Sequence, residues 1–214
     1  VVSGIFLIAL HHIAKGEKKI AFLLILGGSL IHYSSLTLLP TLLLSNKPFN
    51  RKTAILYLCL IPLGYVVYYA GGSILMNPSI PLIGNKLALY QTAVEKGRLT
   101  VAINIFDPLH FMSILLFLYL FLFKESLTKL CSDFPILLKT SAIGLSLYSA
   151  LAFLPVLALR TSQLYCIVNI LLYTYLIYTF KQKWIGISVV LLLSLLLLYV
   201  SIPHYGLGMM VLPN

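Results

Sequence analysis

Four residues carry the chemistry this chain could perform. His32 sits in a 26-residue run, Ile20 to Ser45, that holds no Asp, Glu, Lys or Arg. Tyr33, Ser34 and Ser35 follow it. An imidazole titrates near neutral pH and can pass a proton. An ionisable group among hydrocarbon is costly and is a functional hypothesis by default; the alternative is a neutral ring bonding a neighbouring helix. Asp107 precedes Pro108, with His110 three residues on. It is either a second proton acceptor, or a local cap or the buried partner of a lysine. Arg160 lies in "LPVLALRTSQLY" and Arg98 ends "YQTAVEKGR". The chain has twelve Lys and three Arg, and only the planar guanidinium fork grips phosphate with two parallel bonds. The competing role for both is snorkelling to the headgroups. Lys139 is read as snorkelling inward, and His11, His12 and His204 as interfacial. Glu95 is read as solvated, with a general base as the alternative. The sequence has no phosphate-cradling glycine loop, no Ser/His/Asp order, no HExxH and no CxxC. Cys59, Cys131 and Cys166 show no paired spacing, so no metal site and no cofactor is expected.

The elements that hold these residues follow from composition. The 214 residues are 60% hydrophobic and 9% charged, with a mean hydropathy of +1.01. Soluble domains carry about 25% charged residues. The apolar runs are continuous rather than alternating, which selects helices over a barrel. The expected fold is all-α, a polytopic integral membrane protein. The formal charge of +10 is confined to short connections, where lysines set topology; nucleic acid is not an expected partner.

About seven transmembrane helices are predicted in one domain, 1–214. The first, Val1 to Ile13, is short and reads as the end of a helix, so the chain is expected to be the C-terminal part of a longer one. The next is Ile20 to Ser45, with a kink offered by Pro40. Then come Thr53 to Gly71, Leu99 to Phe123, Phe134 to Leu154, Pro155 to Phe180 and Trp184 to Pro203. Between the third and fourth lies a long loop, 71–98, with a short amphipathic helix from Asn85 to Gly97 expected within it.

Alternating spans put 14–19, 71–98 and the corner near 155–160 on one side, and 46–52, 124–133 and 181–183 on the other. Each set has seven basic residues. Discounting the long loop, as the positive-inside rule directs, places 46–52 in the cytoplasm and 71–98 outside. Arg98 and Arg160 then fall at outer helix ends. His32 lies about 18 Å and Asp107 about 13 Å below the outer surface, at ~1.5 Å per helical residue. This is the outline of a site open to the outer leaflet.

The block "GIFLIALHHIAKGEKKIAFLLILGGSLIHYSSLTLLP" resembles the EpsG-like branch of the Wzy-type polysaccharide polymerases. His32, Tyr33, Ser34 and Pro40 fill the positions of that family's His-Tyr/Phe-Ser stretch and following proline. "FLPVLALRTSQLYCIVNILL", with Arg160 and Tyr165, is a second and weaker similarity. The resemblance implies a bacterial cytoplasmic-membrane glycosyltransferase of O-antigen, capsule or exopolysaccharide synthesis. It would move a growing glycan from undecaprenyl diphosphate to the next lipid-linked unit. Arg160 and Arg98 would hold diphosphate, with Tyr33, Ser34 and Tyr165 beside the substrate. His32 or Asp107 would take the attacking hydroxyl's proton. Flippase and chain-length regulator proteins would be partners. Three alternatives stand beside it: a membrane O-acyltransferase of glycans, a lipid-linked oligosaccharide transporter, and an accessory subunit. A transporter would show internal repeats or broken helices, and none is legible in the sequence.

Overall fold

The computed structural model describes residues 1–75 and 103–209, and the side chains of 1–70 and 103–200. Every element among them is helical. Helices α1 (Val2–Ala14) and α2 (Lys18–Ile31) lead into a 3-10 helix, Tyr33–Leu43. There follow α3 (Arg51–Leu75), α4 (Pro108–Leu122), α5 (Lys124–Leu130) and α6 (Phe134–Ala150). The chain then forms α7 (Pro155–Cys166), α8 (Asn169–Tyr175), a 3-10 turn (Leu176–Thr179) and α9 (Lys183–Met209).

Helix α6 is the axis. Phe134, Ile136, Leu138 and Ala142 are fully buried on it, and so are Thr140 and Ser149. Its neighbours are protein rather than lipid, so it tolerates polar residues that a lipid-facing helix would not. Helix α3 lies directly on it. A Cβ on Gly64 would fall 2.5 Å from the Ser146 carbonyl oxygen, so only glycine permits this approach, as small residues do between membrane helices.

Among the described residues, two helices are long and apolar enough to cross a bilayer, in α3 (Arg51–Ala70) and α9 (Lys183–Val200). Two bent pairs raise the number to four if each is one span: α4 with α5, bent by 77°, and α7 with Asn169–Thr179, bent by 41°. The sevenfold count is therefore not reproduced. Broken helices, not legible in the sequence, are present.

Contacts show which connections share an end of the bundle. Lys139, one turn into α6, donates to the carbonyls of Ser45 at 2.5 Å and Lys47 at 2.7 Å. Phe49 packs on Phe121 near the end of α4, Phe134 on Tyr175, and the Tyr119 hydroxyl lies 3.1 Å from that of Thr179. His11, at the end of α1, reaches Asp133, at the start of α6, at 3.3 Å. So 14–19 lies with 46–52, 124–133 and 181–183, not opposite them. That end carries ten basic residues: three in each of the first two connections and two in each of the others. The even split expected from strict alternation disappears, because the basic residues of these four connections gather at one end.

The reason is a hairpin. The run Ile20 to Ser45, expected as one span, begins and ends at the basic end. Helix α2 has 14 residues, about 21 Å at ~1.5 Å each. The 3-10 helix has 11, about 22 Å at ~2 Å each. The matched arms pack on one another. A Cβ on Gly28 would come within 3.3 Å of Ser35 Oγ, so the arms meet closely beside the turn. The break is at His32, with extended backbone (φ −154°, ψ 122°), and not at Pro40.

Eleven residues of 3-10 helix is long for this conformation, and local chemistry explains it. Pro40 lacks an N–H, and the Thr37 and Thr41 hydroxyls donate back to the Ser34 and Leu38 carbonyls, each at 2.6 Å. In a 3-10 helix the Thr37 carbonyl would accept from residue 40, which here is the proline. The Tyr165 hydroxyl of α7 donates to that carbonyl instead, at 2.7 Å.

Candidate functional site

His32 forms the apex of the hairpin, the part farthest from the basic end. Its ring is exposed. The backbone N–H of Ser34 donates to His32 Nδ1 at 3.2 Å, and Ser34 Oγ lies 2.7 Å from the same atom. The imidazole thus caps the start of the 3-10 helix, as a Ser or Asp would cap an α-helix. Tyr33 is 84% exposed, so its ring is open to whatever covers the apex.

Arg160 lies on α7, exposed. Among the described residues the ion pairs are His11–Asp133 and His12–Glu17, and Arg160 takes part in neither. Its depth relative to His32 follows from direction. Tyr165 packs at Gly144, Asn169 bonds Ser141 at 2.7 Å, and Tyr175 meets Phe134, so α7 and α8 descend α6 toward the basic end. The 3-10 helix descends the same way, from the apex to Ser45 beside Lys139. The two parallel segments are tied at Thr37 and Tyr165. Five residues upstream on each are His32 and Arg160. They rise about 10 Å and about 7.5 Å from the tie, to nearly one level. Tyr165 itself is 1% exposed, with its ring edge-on to Phe6 at 5.9 Å.

Asp107 belongs to a second cluster at the same end. It caps α4, its Oδ2 accepting from the His110 N–H at 3.1 Å. His110 is buried and stacks on Tyr148 at 4.2 Å between ring centres. Its Nε2 lies 3.3 Å from Ser149 Oγ. Tyr65 tilts against it at 6.5 Å and donates to the Ile105 carbonyl, while Tyr148 donates to that of Asn104. The cluster joins α3, α4 and α6. His110 was not singled out from sequence as a site residue; the Asp-Pro-x-His order is a visible signal for the cap, but nothing in it announces the stack. Arg98, Glu95 and the loop 71–98, and likewise His204, fall outside the described residues or side chains.

The structure thus brings His32, Ser34, Tyr33, Tyr165 and Arg160 onto one hairpin–helix unit, and gathers Asp107 with His110 instead. Among the described residues no group of three His, Cys, Asp or Glu side chains could hold a metal. A cavity of about 270 Å³ between α4, α8 and α9 is lined by residues such as Leu116, Tyr173, Leu176 and Leu193. It includes none of the candidates.

Outside the membrane-spanning segments, His12 Nδ1 lies 2.6 Å from Glu17. That hydrogen bond, more than the charges nearby, holds the Glu17 carboxyl below its ordinary value.

No curated protein and no solved structure matches the chain. A family model described as the EpsG family matches residues 2–210, essentially the whole of it. With its helical architecture and apolar spans, the chain belongs to the EpsG family, membrane proteins whose general role is polysaccharide polymerisation.

Proposed function

We propose that this protein is a polymerase of lipid-linked oligosaccharide repeat units in a bacterial cytoplasmic membrane. It transfers the growing glycan from undecaprenyl diphosphate to the next lipid-linked unit, in O-antigen, capsule or exopolysaccharide synthesis. The observation that carries this reading is Arg160: an exposed guanidinium, in no ion pair among the described residues, level with His32 at the end away from the basic loops. A cation there suits an anionic headgroup. As the bond from sugar to diphosphate breaks, charge grows on the leaving oxygen, and a bidentate donor stabilises it more in the transition state than before. Arg98 is proposed as a second holder of diphosphate, Tyr33 and Ser34 as contacts for the glycan, and Asp107 as an acceptor of the hydroxyl's proton. Tyr165 is proposed to act through the hairpin it ties. Flippase and chain-length regulator proteins are the proposed partners.

The test is glycan length on gels, in cells that depend on the protein, with variants at matched expression. Arg160→Ala should lower polymer by about 10²–10³, as loss of one transition-state donor does. Arg160→Lys should be clearly impaired, because it keeps charge but loses the fork. Single repeat units should remain on the carrier or the final acceptor. A normal ladder in the Lys variant would reduce Arg160 to a headgroup anchor.

The broken helices favour one second reading, a transporter of lipid-linked units. It predicts that units accumulate on the cytoplasmic face instead of outside, which protease-free labelling of surface glycan separates.

A further inference from the structure

The hairpin also fixes which edge of His32 is available. A backbone N–H can only donate. Since the Ser34 N–H points at Nδ1, that nitrogen carries the lone pair, and the neutral ring holds its proton on Nε2. The Ser34 hydroxyl at 2.7 Å reinforces this arrangement. The free edge of the exposed ring therefore presents a donor, N–H, not an acceptor. Taking a proton from an attacking hydroxyl needs a lone pair on the open edge. Here that lone pair faces the chain's own backbone, and recruiting it would undo the cap that starts the 3-10 helix.

We infer that His32 is a hydrogen-bond donor to a phosphate oxygen of a lipid diphosphate, working beside Arg160, and not the base for the sugar hydroxyl. The inference rests on the polymerase reading above. Three observations converge on it: the pinned Nδ1, the exposure of the ring, and the common level of His32 and Arg160 on parallel segments tied at Thr37 and Tyr165. A re-entrant hairpin suits this role. It brings a polar turn deep into the membrane domain from the basic side, with its returning foot held by Lys139 and the end of α1, just before its first arm, held at the same end by the His11–Asp133 pair. In the transfer, the hydroxyl oxygen bonds to the anomeric carbon. The old carbon–oxygen bond breaks with its electron pair on the diphosphate, which Nε2–H and the guanidinium receive. The hydroxyl's proton passes to water or a carboxylate, and His32 keeps its own.

Two variants separate donor from base. The Gln amide nitrogen reaches close to the position of Nε2 and donates, but it accepts no proton. The full protein is purified in detergent and titrated with undecaprenyl diphosphate, with undecaprenol and inorganic diphosphate as separate arms. Wild type should bind the lipid diphosphate best. His32→Ala should weaken that binding about tenfold or more, as loss of a charge-assisted hydrogen bond does. His32→Gln restores the donor but not the Nδ1 cap, so it should bind clearly better than His32→Ala and keep measurable polymer formation. The two connections are probed by Lys15→Cys and Pro48→Cys, which should react with an impermeant thiol reagent from the same side of the membrane. If both His32 variants bind the lipid diphosphate like wild type yet form no polymer, His32 is the base and the inference fails. Labelling of the two cysteines from opposite sides overturns the re-entrant hairpin. If wild type binds no lipid diphosphate, the polymerase reading itself fails, whatever the variants do.

Discussion

His32 and His110 lie toward the same end of the bundle in opposite surroundings. His110 is walled in by Tyr148 and Tyr65, with Ser149 at its Nε2 and the Asp107 cap at its own backbone. His32 is bonded on one edge only and open on the other. A ring enclosed on its faces and edge joins helices; a ring pinned on one edge offers the other. The comparison shows that an intramembrane histidine becomes a candidate site through what it leaves unsatisfied, not through its depth.

The strongest way to break this contrast is His110→Ala. It leaves a cavity and removes the partner of buried Ser149, at a cost of about 2–3 kcal/mol. The expected outcome is a large loss of monodisperse protein on detergent size exclusion, with polymer per folded molecule changed only a few-fold. Normal protein with no polymer would exchange the roles of the two histidines.

Tyr165→Phe sharpens the contrast at smaller amplitude. It keeps the ring packed on Phe6 but withdraws the hydroxyl from the Thr37 carbonyl, a loss of about 1 kcal/mol. Polymer should shorten several-fold at matched expression. A cysteine at position 33, on the apex, should label at a different rate in this background. An unchanged rate would release Tyr165 from a positioning role and return it to simple packing.

The smallest effect is expected at the basic end. Glu17→Gln ends the pairing with His12 on an exposed surface, where such pairs contribute little. A group with a lowered pKa stabilises the fold above its unfolded value and loses that contribution as pH falls through its folded value. Wild type and variant should therefore melt within about a degree of each other near pH 7, and converge below about pH 4. A gap that persists well below pH 4, where carboxylates are protonated, would contradict the direction of the Glu17 shift.

Helical class, the membrane setting and the family stretch around His32 were legible in the sequence, because long apolar runs and a polar quartet inside one of them are strong signals. The boundaries Phe134 and Pro155 were legible too, since Pro at the first helical turn marks a start. The hairpin was not. A run of 26 uncharged residues has the length of a span, and hydropathy does not record a reversal of direction. At the reversal the His32 ring accepts a backbone N–H, a local bond that composition averages away. Arg160 was legible as a scarce arginine near a helix start. Its level with His32 was not, because that depends on a contact between residues 128 apart. Asp107 was weighed between cap and proton acceptor; the cap is visible, and the acceptor role awaits its test.

The tie between Tyr165 and Thr37 also sets an order of assembly. Ribosomes deliver the Thr37 carbonyl 128 residues before its partner, an interval of roughly 6–26 s at ~5–20 residues per second. For that time the hairpin lacks the donor that Pro40 denies it, in a solvent that supplies none. Lys139 arrives first and secures the returning foot, and Tyr165 comes later, so the apex is among the last parts of the hairpin to be locked. A nascent chain halted before α7 would hold the His-Tyr-Ser stretch without the hydroxyl that ties its 3-10 arm.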